Sequence, residues 1–333
     1  MIGDPYDSRA LSPQRLRRPP LRCGPPGARR PVRLPGPHRG RIGRPRESTM
    51  AFDVHQAVTD KIIATMEAGE AGQWTCPWHR TGGGLPRNAL TGRAYRGINT
   101  LSLWVGAQAS GYADDRWATY KQWCELGAQV KRGERSTLVV FFKEYEAADG
   151  EDRKRFVARA SYAFNAAQVE GAPEAGEPMP ASAWTIPEIF DGFVSRTGAR
   201  ITHGGDAAFY QPSEDRIVMP PRERFGTAQG YASTMAHELT HWSGAKGRLD
   251  RDLTGRFKTQ AYATEELVAE LGSAFLMAEM GLEAEAHPTH ASYLASWLKL
   301  LRSDPKAIFI AASAASRATG YLTSFQADLA QAA

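Results

Sequence analysis

One run of five residues constrains this chain of 333 more than any other: His237-Glu238-Leu239-Thr240-His241. Two imidazoles four positions apart reach the same side only when the backbone is helical, because residues i and i+4 are then surface neighbours. The flanks agree with a helix over residues 227–242, with Thr227 as N-cap and Gly244 just past its end. Zinc suits imidazole nitrogen and takes a third protein ligand, leaving a fourth position for water. Glu238 then stands where it takes a proton from that water, whose pKa a bound zinc lowers toward ~7.

The third ligand has two sources to weigh. An HExxHxxGxxH continuation would supply another His; Gly244 fits it, but Gly247 stands where that His belongs. Downstream, Thr264-Glu265-Glu266-Leu267-Val268-Ala269-Glu270-Leu271-Gly272 predicts a second helix, residues 264–280, stopped by Gly281. Glu266 and Glu270 share one face of it, beside an apolar stripe of Leu267, Leu271, Ala274 and Phe275. That placement suits Glu266 as the carboxylate ligand, with Glu270 orienting a ligating imidazole through its other ring nitrogen. The same residues also suit an ion that is only structural, with no turnover, or a satisfied pair on a helix face.

Hydropathy patterning divides the rest of the chain. Val54, Ala57, Val58, Ile62 and Met66 predict a first helix, and a run from Ile98 to about Ala109 a second, stopped near Gly111. Residues 117–126 read as a third, short helix, and residues 138–145 and 156–164 as two strands around a charged turn. Residues 168–183, rich in Pro, Gly and Glu, have a linker composition, and the domain boundary is placed there. A helix over 186–197 follows, then strands near 200–202, 207–210 and 216–219, and two Ala-rich helices at 290–301 and 305–321. The stretch from Phe209 to Pro220 reads as a hairpin arm leading to the metal helix, either an exposed edge able to hold an extended peptide or an ordinary core hairpin. No run of 18 apolar residues exists, which excludes a spanning helix. Three cysteines without a CxxC pair do not make a disulfide framework, which fits a cytoplasmic chain.

Charge is distributed unevenly. Residues 1–49 hold twelve Arg and ten Pro with three acids, net +9, whereas residues 50–180 sum to −1 and residues 181–333 to −3. The first 49 residues have little to bury and are expected to be disordered, either as a basic arm or as translated sequence upstream of a start at Met50. Between residues 74 and 123 lie five of the eight Trp, and residues 74–135 carry nine basic against four acidic side chains. Rings interleaved with cations suit single-stranded nucleic acid, bases stacking while Arg and Lys meet phosphates. Trp74 and Trp78, in a Gly/Pro-rich loop, are the better surface candidates, Trp104 is expected in the core, and Trp117 fits either role. Gly92-Arg93-Ala94-Tyr95-Arg96-Gly97-Ile98-Asn99 places Arg96 and Asn99 at a turn entering a helix, where phosphate is received.

Several motifs together resemble the ArdC-like antirestriction family. These are Trp74-Thr75-Cys76-Pro77-Trp78, Pro86-Arg87-Asn88-Ala89-Leu90-Thr91-Gly92, Tyr95-Arg96-Gly97-Ile98-Asn99 and Gly127-Ala128-Gln129-Val130-Lys131-Arg132-Gly133-Glu134, then the two helical motifs above and Trp297-Leu298-Lys299 with Ala307-Ile308-Phe309. The resemblance spans residues 52–325 and implies an α+β chain of two domains. Residues 50–167 would be a single-stranded-DNA-binding domain, 168–183 the linker, and 184–333 a zincin-like, gluzincin-type metallopeptidase domain. It implies His237, His241 and Glu266 as ligands of Zn2+, or of Mn2+ in its place, and Glu238 as general base. The DNA-facing side chains expected with it are Trp74, Trp78, Arg87, Asn88, Tyr95, Arg96, Asn99, Trp117 and Lys121. The partners expected are single-stranded DNA and a protein substrate, with no membrane. A single-stranded-DNA-binding protein with a structural or vestigial metal site is the alternative, and a plain protease whose aromatic domain recognises protein a third.

Overall fold

The computed structural model describes residues 52–68, 76–78, 84–146, 154–174, 186–253, 259–285 and 290–330. Residues 1–49, the charged turn at 148–153, most of the 168–183 stretch and Trp74 lie outside them.

Helix α1, Val54–Glu67, starts where Asp53 accepts hydrogen bonds from the free amides of His55 and Gln56. After the two-residue strand β1, Arg87–Asn88, helix α2 runs Ile98–Ser110 and stops at Gly111, whose φ of 69° is the left-handed cap that glycine tolerates best. The third helix is shorter than expected. Arg116–Ala118 is strand β2, and only Tyr120–Glu125 forms α3, because the Thr119 and Gln122 capping box sets the helix start three residues past Trp117. Strand β3, Gln129–Val130, precedes the long hairpin of β4, Thr137–Glu146, and β5, Lys154–Asn165. Val169–Glu170, expected as linker, is strand β6 and pairs antiparallel with β3. The larger sheet has the order β1-β2-β5-β4.

The second half begins with α4, Ile186–Thr197, and a three-stranded sheet follows: β7, Arg200–His203, β8, Phe209–Gln211, and β9, Arg216–Met219, in the order β7-β9-β8. Four helices complete it: α5, Ala228–Ser243, α6, Gln260–Glu279, α7, His290–Ser303, and α8, Ala307–Ala330. Helix α6 starts four residues before the predicted Thr264, because the Thr259 side chain caps it through the Tyr262 amide. No helix among the described residues is long and apolar enough to cross a membrane.

Although residues 168–183 separate the halves in sequence, one hydrophobic core joins them. Val58, Ile62 and Met66 of α1 and Trp104 of α2 share it with Leu271 and Phe275 of α6, Trp297 of α7 and Ile308 of α8. Trp104 meets Phe275 with ring centroids 5.5 Å apart.

Strand β4 ends the larger sheet, and α2 covers its open edge. The Asn99 side-chain amide donates to Val140 O at 2.8 Å, and Asn99 Oδ1 accepts from Val140 N at 2.7 Å. Two residues along, Ser102 Oγ donates to Leu138 O at 2.5 Å. These bonds satisfy backbone groups that an edge strand otherwise leaves open to another chain. Asn99, expected to face DNA, is therefore a structural clamp, since both its polar atoms are spent on Val140. Asn99→Ala should lower the unfolding free energy by about 2–3 kcal/mol, because two bonds go and two backbone groups are left unpaired. Urea denaturation checks it, and a change within experimental scatter would remove the clamp.

Candidate metal centre

Helix α5 carries both imidazoles and is fixed at its start by Thr227, whose hydroxyl accepts from Gly230 N at 2.9 Å and donates to Glu285 at 2.7 Å. Along it His237 and Glu238 are buried, and the hydroxyl of buried Thr240 turns back to Ala236 O at 2.8 Å, which pairs that hydroxyl inside the core. Helix α6 lies against α5, tied by Ser273 Oγ donating to Ser233 O at 2.8 Å. The contact is close because Gly272 has no side chain: a Cβ there would stand 2.5 Å from Thr240 Cγ2. Two helical turns before Ser273, and on its face, α6 presents Glu266.

The resulting cluster is compact. Glu266 Oε2 lies 3.7 Å from His237 Nε2, and Glu266 Oε1 lies 3.7 Å from His241 Nε2. One ligand atom from each of His237, His241 and Glu266 lies within 4.8 Å of the other two. Two nitrogens and a carboxylate oxygen around one point are the donor set of an open zinc or related divalent site.

Carboxylates hold the outer faces of both rings. Glu270 Oε2 is 3.7 Å from His237 Nδ1, the place expected of it. His241 Nδ1 meets Glu265 Oε1 at 3.1 Å, which points Nε2 at Glu266. Glu265 is anchored by Arg251, with Nη2 to Oε1 at 2.9 Å and Nε to Oε2 at 3.1 Å, and Arg251 also donates to Thr240 O. Neither Glu265 nor Arg251 was singled out from sequence. The adjacency of Glu265 to Glu266 was the available signal, but its partner comes from a loop outside both motifs.

The electrostatics favour a cation between the rings. Burial opposes a charged His237, yet the neighbouring carboxylates of Glu266 and Glu270 push its pKa up to about 10. Glu266 is also opposed by burial, but His237 and His241 hold it below the usual carboxylate range. Glu265 is likewise lowered despite burial, by His241 and Arg251. Glu238 goes the other way: burial raises it, against the pull of the two histidines and of a hydrogen bond from the Tyr210 backbone.

A cavity of about 270 Å³ opens onto the cluster, lined by Glu238, Tyr262 and Tyr293 and by Phe209 and Tyr210 of β8. The Tyr262 and Tyr293 hydroxyls are 2.9 Å apart. Strand β8 is at once an edge of its sheet and a wall of this cavity. Arg248 pins its turn, reaching Tyr210 Oη at 3.1 Å and Asp215 while stacking 4.1 Å over Trp242.

The residues expected to face DNA do not gather in one place. Trp78 and Trp117 are each 1% exposed and belong to cores, against the surface position expected for Trp78. Trp78 stands edge-on to Trp297, and Trp117 edge-on to Tyr112, so no ring face is left for a base. Asn88 is spent on its own turn, its Oδ1 accepting from Leu90 N and Thr91 N, and its amide donating to the Tyr95 hydroxyl and Gln122. Tyr95 is half-buried against a core. Arg87 is exposed 4.0 Å from Asp115, and Lys121 is exposed 3.7 Å from Glu125. Arg96 is exposed at the entry to α2.

A two-histidine, one-glutamate cluster on antiparallel helices beside an edge strand is the site of a zincin-like domain, the class that holds a divalent metal, and residues 188–314 match the zincin-like metallopeptidase family. Residues 52–176 match the N-terminal domain of anti-restriction factor ArdC. The crystal structure of the antirestriction ArdC protein from plasmid R388 in metal-free form is similar with a TM-score of 0.72 at 40% identity, over 83% of this chain and 99% of that one. Its Mn(II)-bound structure gives a TM-score of 0.70 at 39% identity, with the same coverage. Protein y4eC of Sinorhizobium fredii is 46% identical over 288 residues, 93% of its length. DNA primase TraC of Escherichia coli is 37% identical over 294 residues, only 20% of that longer protein. The chain belongs to the ArdC antirestriction family, with an ArdC-type N-terminal domain followed by a zincin-like domain.

Gly272→Ala should cost about 1–3 kcal/mol, because a methyl group must displace Thr240. It should also weaken Mn2+ or Zn2+ binding at least tenfold, as Glu266 rides on the displaced helix. Calorimetric titration checks this, and adding Thr240→Ala should recover most of both losses; no recovery would separate the close approach from the metal site.

Proposed function

We propose that this chain is an antirestriction protein that binds single-stranded DNA entering a cell and hydrolyses a protein through a zinc- or manganese-dependent peptidase site. The observation that carries the hydrolytic half is the meeting of His237, His241 and Glu266 within 4.8 Å, with buried Glu238 beside them in an open cavity. Kinship with the R388 antirestriction protein supports the biological half.

His237, His241 and Glu266 would hold the ion, and a bound divalent metal supplies Lewis acidity toward water and a carbonyl oxygen. Glu238 takes a proton from the attacking water and delivers it to the leaving amine. Its carboxyl, raised by burial, releases that proton more readily than it would accept it back only when the amine is the stronger base, which a peptide nitrogen becomes as its bond breaks. Glu265 and Glu270 keep the imidazoles turned inward. The Tyr262 hydroxyl, 2.9 Å from that of Tyr293, donates to Glu266 and helps hold that carboxylate in place. An extended peptide lies along β8 by strand addition, which brings a backbone carbonyl across the cavity.

Glu238→Gln should retain metal stoichiometry within error and lose hydrolysis of a cleavable protein or peptide by about 10²–10⁴-fold. His241→Ala should lose both. Metal analysis by mass spectrometry paired with a peptide-cleavage assay reads the two separately, and unchanged turnover in Glu238→Gln would reject its role as base.

A further inference from the structure

A second, larger cavity of about 710 Å³ lies away from the metal cluster, between the start of α2, strand β4 and helix α8. We infer that this groove seats a segment of single-stranded nucleic acid, with bases against Phe142 and Ile310 and phosphates on Arg96, Lys306 and Arg317. The inference rests on the DNA-binding reading above and gives it a location.

Charge is the first argument. The folded halves of this chain are mildly acidic, yet among the described residues no Asp or Glu lines the groove, and Arg96, Lys306 and Arg317 all do. All three are exposed, and among the described residues none forms an ion pair with a carboxylate. Arg317 reaches only Ser313 Oγ, at 3.0 Å. Two lining residues have an acid at hand: His55 lies 3.6 Å from Asp53, and the Lys306 backbone amide donates to Asp304 Oδ1 at 2.9 Å, with no ion pair to its ammonium among the described residues. Helix α2 also begins here, at Gly97, without a side-chain cap, so the positive end of its dipole faces the same anion.

Apolar surface is the second argument. Phe142 is 54% exposed and Ile310 59%, values that a core does not explain. Phe309 lies beneath, tilted against His55 with ring centroids 4.6 Å apart. A groove with ring faces and unneutralised cations is the combination that holds single strands with little sequence preference. A neutral lipid or an apolar peptide would leave the three cations unanswered, and an acidic peptide would leave the rings unused.

Geometry is the third. Lys306, whose carbonyl accepts from Ile310 N just before α8, and Ile310, Ser313 and Arg317 on α8 recur at intervals of four, three and four, one face spanning about 16 Å. That is room for several stacked nucleotides at ~3.4 Å each. The wall is fixed rather than loose, since Gly97 N donates to Ser316 Oγ at 2.7 Å and ties α2 to α8. The site is consequently shared: Arg96 and Phe142 fall within the ArdC-type domain match, and Lys306 and Ile310 within the zincin-like one.

The test titrates labelled oligo-dT into the full chain by fluorescence anisotropy at several salt concentrations. The double variant Arg96→Glu with Arg317→Glu should bind at least tenfold more weakly, with a salt slope shallower by about 1.4, roughly 0.7 for each lost phosphate contact on a single strand. Phe142→Ala should weaken binding about tenfold without altering that slope. Lys246→Glu, an exposed cation elsewhere, should bind as the parent does. Because these side chains are exposed, thermal melting of each variant should match the parent. If the parent binds oligo-dT and the double variant binds equally well, the groove is overturned while the DNA reading stands. If the parent does not bind at all, both fall. Displacement of the oligonucleotide by polyglutamate at equal charge, with Phe142→Ala silent, would make the groove a site for acidic peptide and overturn the assignment.

Discussion

The contact between α5 and α6 governs the metal centre. At Gly272 the two backbones approach closely enough that Thr240 occupies the space of a missing side chain. That approach sets Glu266 midway between two imidazoles and Glu270 behind one of them. Four carboxylates, Glu238, Glu265, Glu266 and Glu270, are thereby taken largely out of water. Burying such charge is costly unless opposite charge answers it. Arg251 answers Glu265, and the rest of the excess falls between the rings, where it draws positive charge. The same packing that makes the core thus makes a place for a divalent ion.

A second constraint links the halves of the molecule. The open edge of β4 is closed by side chains of α2 rather than by another strand, and the other face of α2 shares a core with α6, α7 and α8. The ArdC-type domain keeps two small cores of its own, around Trp117 and Trp123, and is joined to the helices that carry the metal cluster through the larger, shared one. The groove bounded by α2, β4 and α8 exists only because of this sharing. Nucleic acid held there would lie against the helix that packs on α6, which gives the two proposed activities a common scaffold.

Much of the metal site was legible in the sequence because its logic is local. His237, Glu238 and His241 lie within two turns of one helix, and Glu266 with Glu270 repeats the same i, i+4 spacing on another. The long hairpin and the eight α-helices among the described residues also follow from periodicity and caps. Strands β1, β2, β3 and β6, of two or three residues each, escaped because pairing with a distant neighbour, and no local pattern, makes them strands. Part of the expected DNA-facing set was misjudged for a related reason. A tryptophan serves a core as readily as a surface, and Trp78 and Trp117 were claimed by partners far along the chain. Asn88 and Asn99, polar and near a basic turn, were consumed by backbone groups that needed them.

By itself the sequence determined that two helices would each carry a matched pair of ligand-type side chains, because helical spacing is a property of consecutive residues. It also determined the family, since its motifs occur in that family's order. Only the tertiary structure decided that those helices meet at Gly272, that Arg251 brings Glu265 to His241, and that cations from residues 96, 306 and 317 line one groove. Such encounters join residues far apart along the chain. They are settled by which surfaces bury together, a collective outcome of the whole core that no short stretch of residues encodes.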